Sequence, residues 1–290
     1  MMPAGPGRVG VQQGRMQLEG PRRRSYARRR RHKGTRPGGQ VVTWARPTQS
    51  LSKDALPGEH AVAPVPRVLM QTWHRPLEDL PQRVAAGIRM CSQGLSHEYF
   101  RDSQCKEFLY TNYGPQHVAK FDQLRCGAHK ADFFRYCYLY IEGGVYMDVD
   151  LEPRQTLVSI LAGIAPGTLV TCLDASRSGI FQAFIATPPG HPVFPELINR
   201  FFAPDVESGF FTYDTFTRHM GSVLRRRKGR PLRTGMQTML DGSRLCLLYE
   251  NQRGIRGSYD VFHRGKRVFS SRYTEYMGGG VDAGTSFFSN

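Results

Sequence analysis

The chain has no Cys-x-x-Cys pair, no apolar run long enough to cross a bilayer, and only 24 acidic residues against 40 lysines and arginines in 290. The six scattered cysteines argue against a zinc site and against a disulfide-built scaffold. Cys137 and Cys172 sit in apolar runs and read as core thiols, while Cys91, Cys105 and Cys126 can pair in an oxidising compartment. The longest uncharged run, Gln155 to Leu173, is broken by Gly163, Pro166 and Gly167. It reads as a buried helix, a turn and a strand, not a membrane span. The first thirty residues lack the apolar segment of a signal peptide.

The excess of basic residues is unevenly spread. Residues 1–60 carry 13 basic against 3 acidic side chains, a net of +10, and the remainder carries only +6. The first segment is rich in Gly, Pro, Gln and Arg and lacks apolar periodicity, as disordered chain does. Its clusters Arg22–Arg24 and Arg28–Arg31 fit a solvated tail equally well as a nuclear signal, a nucleic-acid patch or a contact with an anionic surface. The expected organisation is a disordered basic tail over 1–60 and one folded domain over 61–290.

Apolar content of 40% and aromatic content of 11% suffice for a core. A first strand is expected at 65–73 and helices at 80–91, 118–125 and 130–141. In the last of these, Phe134, Cys137, Tyr138 and Ile141 recur at helical spacing. Gly143 and Gly144 supply its stop. Phe108 to Tyr110 look strand-like. Strands are expected at 145–150, 169–173, 180–186 and 244–249, and helices near 157–162, 192–202 and 213–224. Residues 225–230 (RRRKGR) read as a basic loop, solvated or able to hold an anionic acceptor or phosphate, and Gly278–Gly280 as loop. Strands alternating with helices imply a mixed or parallel sheet flanked by helices.

The most specific stretch is Ala131 to Asp150, ADFFRYCYLYIEGGVYMDVD. A helix, a Gly-Gly stop and a short strand end on Asp148 and Asp150. Residues two apart on a strand share a face, so both carboxylates are expected to converge at a strand end, where α/β proteins bind ligands. Such a pair suits a hard divalent cation. Asp132 and Arg135, three apart on the helix, share a face. They read as a plain ion pair or as part of the same pocket, where a carboxylate takes sugar hydroxyls and a guanidinium takes phosphate.

The block A-D-x-x-R-Y-x-x-L-Y-x-x-G-G-V-Y-x-D-x-D resembles the DXD-motif sugar transferases of glycosyltransferase family 32. These include initiating α-1,6-mannosyltransferases and mannosyl-inositol-phosphoceramide synthases, with the clostridial glucosylating toxins more distant. Val65 to Trp73 (VPRVLMQTW) is similar to the family's opening block, Phe184 to Pro192 (FIATPPGHP) to its Pro-Gly-His-Pro block, and Thr234-Gly235 to a Thr-Gly-Pro turn.

The resemblance implies a GT-A, Rossmann-like α/β domain that uses Mn²⁺ or Mg²⁺. The donor would be a nucleotide-diphosphate sugar, GDP-mannose or a UDP-hexose, and the hexose would pass with retention to a glycan, lipid or protein acceptor. Asp150 is implied as the metal ligand and Asp148 as its partner at ribose, sugar or a metal-bound water. Asp132 and Arg135 would contact donor sugar and diphosphate, with Gln71, Thr72 and Trp73 at the base and Gln182 on the donor side. Met70, Gln182, Ala183 and Met236 depart from the usual residues. His263, the only histidine after His219, is either a further metal ligand or a surface side chain. Relatives in eukaryotes are Golgi proteins with an N-terminal anchor. None is visible here, which leaves the compartment open.

Two rival readings follow from the residues. Asp-x-Asp after an apolar strand also marks aspartyl-phosphate phosphohydrolases, but no adjacent acidic pair follows Glu152 to complete such a site. The high pI of 9.9 suggests a nucleic-acid-binding protein, although most of that charge lies in the first sixty residues.

Overall fold

A computed structural model of the protein describes residues 63–209, 211–252 and 259–270. The expected tail, its arginine clusters and the C-terminal glycines lie outside the described residues. The described residues open with β1 (Val68–Thr72), a 3-10 turn (Leu77–Asp79), α1 (Gln82–Cys91) and β2 (Ser96–Phe100). Then come α2 (Asp102–Tyr113), α3 (Pro115–Gln123), α4 (Gly127–Glu142), β3 (Gly144–Met147), β4 (Glu152–Pro153) and α5 (Leu157–Leu161). The second half holds β5 (Thr168–Leu173), β6 (Ile180–Thr187), α6 (Phe194–Arg200), α7 (Pro204–Glu207), α8 (Thr215–Lys228), β7 (Gly235–Thr238), β8 (Arg244–Gln252), β9 (Tyr259–His263) and β10 (Lys266–Ser270).

The strands form one mixed sheet in the order β2-β1-β3-β6-β5-β8-β9-β10-β4, with β7 also on β8. β1, β2 and β3 are mutually parallel and β5 is parallel to β8, while β6 runs against both β3 and β5. The C-terminal ends of β1, β3, β5 and β8 therefore share one edge of the sheet, the edge at which open α/β sheets take ligands. Apolar side chains cover both faces. Phe134, Tyr146, Phe194, Phe216 and Leu247 belong to one cluster, and Leu69, Val84, Val145, Phe184 and Leu248 to the other. Strands so covered are buried along their whole length: all six residues of β5 are enclosed, Thr168 and Thr171 included. The expected α/β domain with a mixed central sheet flanked by helices is what the chain forms.

Three local readings are corrected. Phe108–Tyr110 lie in α2, because Cys105 and Leu109 one turn apart give that stretch its buried helical stripe. Arg225–Lys228 are the last turn of α8 and not a loop; the helix ends at Gly229, which is left-handed (φ 67). β3 stops at Met147, and Asp148 to Leu151 form a turn closed by Leu151 N–H donating to the Asp148 carbonyl at 3.2 Å. No strand was expected at 235–238 or 259–270.

The helix before the motif is buried all round, from Asp132 through Leu139. An amphipathic stripe understates it because α2, α3 and α6 cover the sides that the sheet does not. Gly143 (φ 65) and Gly144 (φ 99) do more than end it. A Cβ on Gly143 would lie 2.6 Å from Pro189 N, and one on Gly144 would lie 3.0 Å from the Val68 carbonyl. The turn passes so close to neighbouring backbone that only glycine fits.

Candidate active site

The turn after β3 is anchored on both sides. Asp148 N–H donates to the Ala183 carbonyl of β6 at 2.9 Å. The Gln71 side chain at the end of β1 donates from Nε2 to the Met147 carbonyl at 3.0 Å. Val149 and Leu151 are buried and alternate with half-exposed Asp148 and Asp150. The strand ends early, yet its alternation continues through the turn and keeps both carboxylates on the solvent side.

Arg135 joins three elements. Its Nε donates to the Ala131 carbonyl at 3.2 Å and its Nη1 to the Gln182 carbonyl of β6 at 2.6 Å. Its Nη2 lies 3.3 Å from Asp132 Oδ1 and 3.5 Å from Asp148 Oδ1. The guanidinium sits 4.2 Å from the centroid of the Tyr146 ring, and the Tyr146 hydroxyl donates to Asp148 Oδ1. One carboxylate oxygen of Asp148 is thus held from two directions, and none of these contacts uses Oδ2.

Burial sets the electrostatics. Asp132 is pushed up to about 6, chiefly by burial, with Asp148 adding to the shift and Arg135 opposing it. Burial works against the charge on Arg135, but Tyr146, Asp148 and Asp132 outweigh it and raise its pKa. Tyr146 is raised well above 10 by burial and stays a neutral donor. A fixed cation between two acids, one titrating near neutrality, is an arrangement found at functional sites.

The structure brings together Asp132, Arg135, Asp148 and Gln182. Arg135, expected at a diphosphate, is only 4% exposed and spends its guanidinium on protein; it is a strut beneath the carboxylates. Gln71 is fully buried and leaves a base no approach to its side chain, whereas Thr72 is half-buried with its Oγ1 3.4 Å from Cys105 Sγ. Half-buried Trp73 carries the Arg75 guanidinium 5.8 Å from its ring centroid. His263 is not brought in. Three strands separate β9 from β3, and His263 pairs with Lys266 at the turn end of the β9–β10 hairpin, whereas β4 joins the other end at Ser270. Burial lowers its pKa, and it lines a separate cavity of about 220 Å³ with Met236, Cys246 and Phe262. Cys91 and Cys105 are free thiols enclosed in the core.

Two side chains were missed. Tyr146 stands two residues before Asp148, so the strand period that placed the aspartates also placed its hydroxyl. Tyr213, before α8, is raised to about 12 by burial first and then by Asp148 and Asp132. Only the fold brings it near them.

The family described as a glycosyltransferase sugar-binding region containing a DXD motif matches residues 76–165, from the 3-10 turn through the carboxylates to α5. Over that stretch the chain is similar to the DXD-motif glycosyltransferases. An uncharacterized glycosyltransferase of Acanthamoeba polyphaga mimivirus is 26% identical over 194 residues, covering 65% of this chain and 76% of the viral one. The initiation-specific alpha-1,6-mannosyltransferase of Schizosaccharomyces pombe is 29% identical over 157 residues, covering 48% of this chain and 40% of the yeast one. Inositol phosphoceramide mannosyltransferase 3 of the same yeast is 27% identical over 141 residues, covering 48% and 37%. This DXD chain thus spans three quarters of the viral relative and about two fifths of the yeast pair. Among the described residues, no helix is long and apolar enough to cross a membrane.

Proposed function

We propose that the chain is a metal-dependent, retaining glycosyltransferase. It moves a hexose from a nucleotide-diphosphate sugar, GDP-mannose or a UDP-hexose, to a glycan, lipid or protein acceptor. The observation that carries this reading is the pair of half-exposed carboxylates on the turn after β3, one of them aligned by Arg135 and Tyr146.

Mg²⁺ or Mn²⁺ suits the donor set. Among the described residues no three His, Cys, Asp or Glu side chains cluster for a metal, and Mg²⁺ ordinarily takes one or two carboxylates plus substrate phosphates and waters. Asp148, through Oδ2, and Asp150 would hold it. When bound, the ion supplies neutralising charge for the departing nucleotide diphosphate. Arg135 and Tyr146 fix Asp148 so that it need not reorganise. Asp132, ionised above pH 6, accepts hydrogen bonds from sugar hydroxyls. Gln182, Thr72 and Trp73 border the donor, and Gln71 holds the carboxylate turn against β1.

The yeast relatives are mannosyltransferases, so GDP-mannose is the first donor to test. Native-state ligands raise apparent stability. A thermal-shift screen of GDP-mannose, UDP-glucose, UDP-galactose and UDP-N-acetylglucosamine, with and without Mn²⁺, is expected to show one donor raising the Tm only when the ion is present. No Mn²⁺-dependent shift with any of the four overturns the reading.

A further inference from the structure

The basic surface at the end of α8 is not used by the site. Between residues 214 and 244 stand eight arginines and lysines against two aspartates. The rest of the chain from residue 61 onward balances at nineteen of each sign, so the entire excess of that region lies in this one segment.

Internal pairing consumes only part of it. Arg226 meets Glu196, Arg227 meets Asp241 at 2.8 Å, and Arg218 pairs with Asp214. The other five cations have no carboxylate partner among the described residues. Arg225 donates to the Ser178 carbonyl, Lys228 to the Thr238 carbonyl and Arg244 to the Pro166 carbonyl, all of which leave the charge intact. Arg230 and Arg233 are exposed.

Two apolar side chains stand among these cations. Leu240, 76% exposed, lies against the end of α8; a Cβ on Gly229 would come within 3.0 Å of its Cδ1. Met236, 47% exposed, lies on the outer face of β7 with Thr238, whose carbonyl holds Lys228. Nucleic acids are gripped by aromatic platforms beside cations, and the large exposed side chains here are aliphatic. Cations ringing aliphatic tips are the pattern of surfaces that lie on acidic lipid.

We infer that the surface formed by the end of α8 and by β7 docks the protein on an anionic lipid bilayer, with Arg230, Arg233 and Lys228 at the headgroups and Leu240 and Met236 in the interface. α8 begins beside Tyr213 at the carboxylates and runs about 20 Å to this patch, so docking would hold the site near the membrane plane. The inference rests on this surface alone and not on the proposed sugar transfer.

Sedimentation of the full chain with phosphatidylcholine vesicles, with and without phosphatidylserine, tests it. Binding is expected only with phosphatidylserine. Arg230→Glu/Arg233→Glu should weaken it at least about tenfold, at about 1 kcal/mol per basic residue, with the Tm unchanged. Leu240→Ser/Met236→Ser should leave low-salt binding and abolish the part that resists salt. Donor hydrolysis without vesicles should be unchanged in both variants, which separates failure of docking from failure of the enzymatic reading. Equal vesicle binding by wild type and both variants overturns the inference. So does selective loss of polyuridylate binding with vesicle binding intact, since the surface would then serve RNA.

Discussion

The Arg135 guanidinium lies 4.2 Å from the centroid of the Tyr146 ring, and both side chains reach a single oxygen, Oδ1 of Asp148. A cation, a neutral hydroxyl and an aromatic face thus fix one carboxylate without blocking its second oxygen. Orientation is set before any ligand arrives, which is what electrostatic catalysis requires.

Tyr146→Phe keeps the ring beneath Arg135 and removes only the hydroxyl. The protein should lose about 1 kcal/mol of stability. Donor hydrolysis should slow by up to about 100-fold, the scale of a small misplacement at a reacting centre. Urea melts and kcat measure the two effects, and an unchanged kcat would remove Tyr146 from the account.

Arg135→Met leaves Asp132 buried beside Asp148 with no cation between them. Stability should fall by about 3–5 kcal/mol, the cost of breaking a buried pair. Arg135→Lys should recover only part of it, since an ammonium cannot serve Ala131, Gln182, Asp132 and Asp148 together. Equilibrium unfolding of the two variants gives the comparison.

Gly143→Ala should cost about 3 kcal/mol or more, because strain at φ 65 adds to a Cβ forced against Pro189 N and the Thr187 carbonyl. Gly265→Ala is the control. It has φ 74 with open space around it and should cost about 1–2 kcal/mol. Similar losses in both would mean that the close approach at the Gly-Gly turn is unimportant.

Two groups give opposite pH signatures. Asp132 is raised to about 6, so kcat/KM should climb through pH 6 as it ionises, and Asp132→Asn should abolish that inflection. Its stabilising preference for the neutral acid is complete below its ordinary pKa of 3.8 and is lost as pH rises through 6. His117 lies between Tyr113 and Phe133, with ring centroids at 4.6 and 5.7 Å, and burial lowers it to about 4. Its contribution is complete above 6.5 and falls by about 1.4 kcal/mol per pH unit as pH drops toward 4. His117→Phe should therefore gain on wild type by that slope over this window, measured by urea melts at stepped pH.

Much of this was legible in the chain. The run Ala131 to Asp150 carries a helix, a glycine stop and a strand in twenty residues, and each local signal agrees with the next. α4, β3 and the carboxylates follow from it. What sequence missed depends on partners far along the chain. Phe108 is helical because α2 packs on α4, which covers its aromatic side. Arg135 reads as a ligand contact until β6 supplies the Gln182 carbonyl that takes its Nη1. His263 reads as a metal ligand until the order of strands sets it apart.

The proposed grip of Asp150 and Asp148 on a divalent ion serves transfer from a nucleotide-diphosphate sugar. Its most direct test is Mn²⁺-dependent donor hydrolysis by wild type and by Asp150→Asn, at matched Tm. Turnover by wild type, abolished by chelation and reduced by about 1000-fold in the variant, is expected from loss of a charge-stabilising group. Equal turnover by the two proteins, or turnover indifferent to chelation, would contradict it.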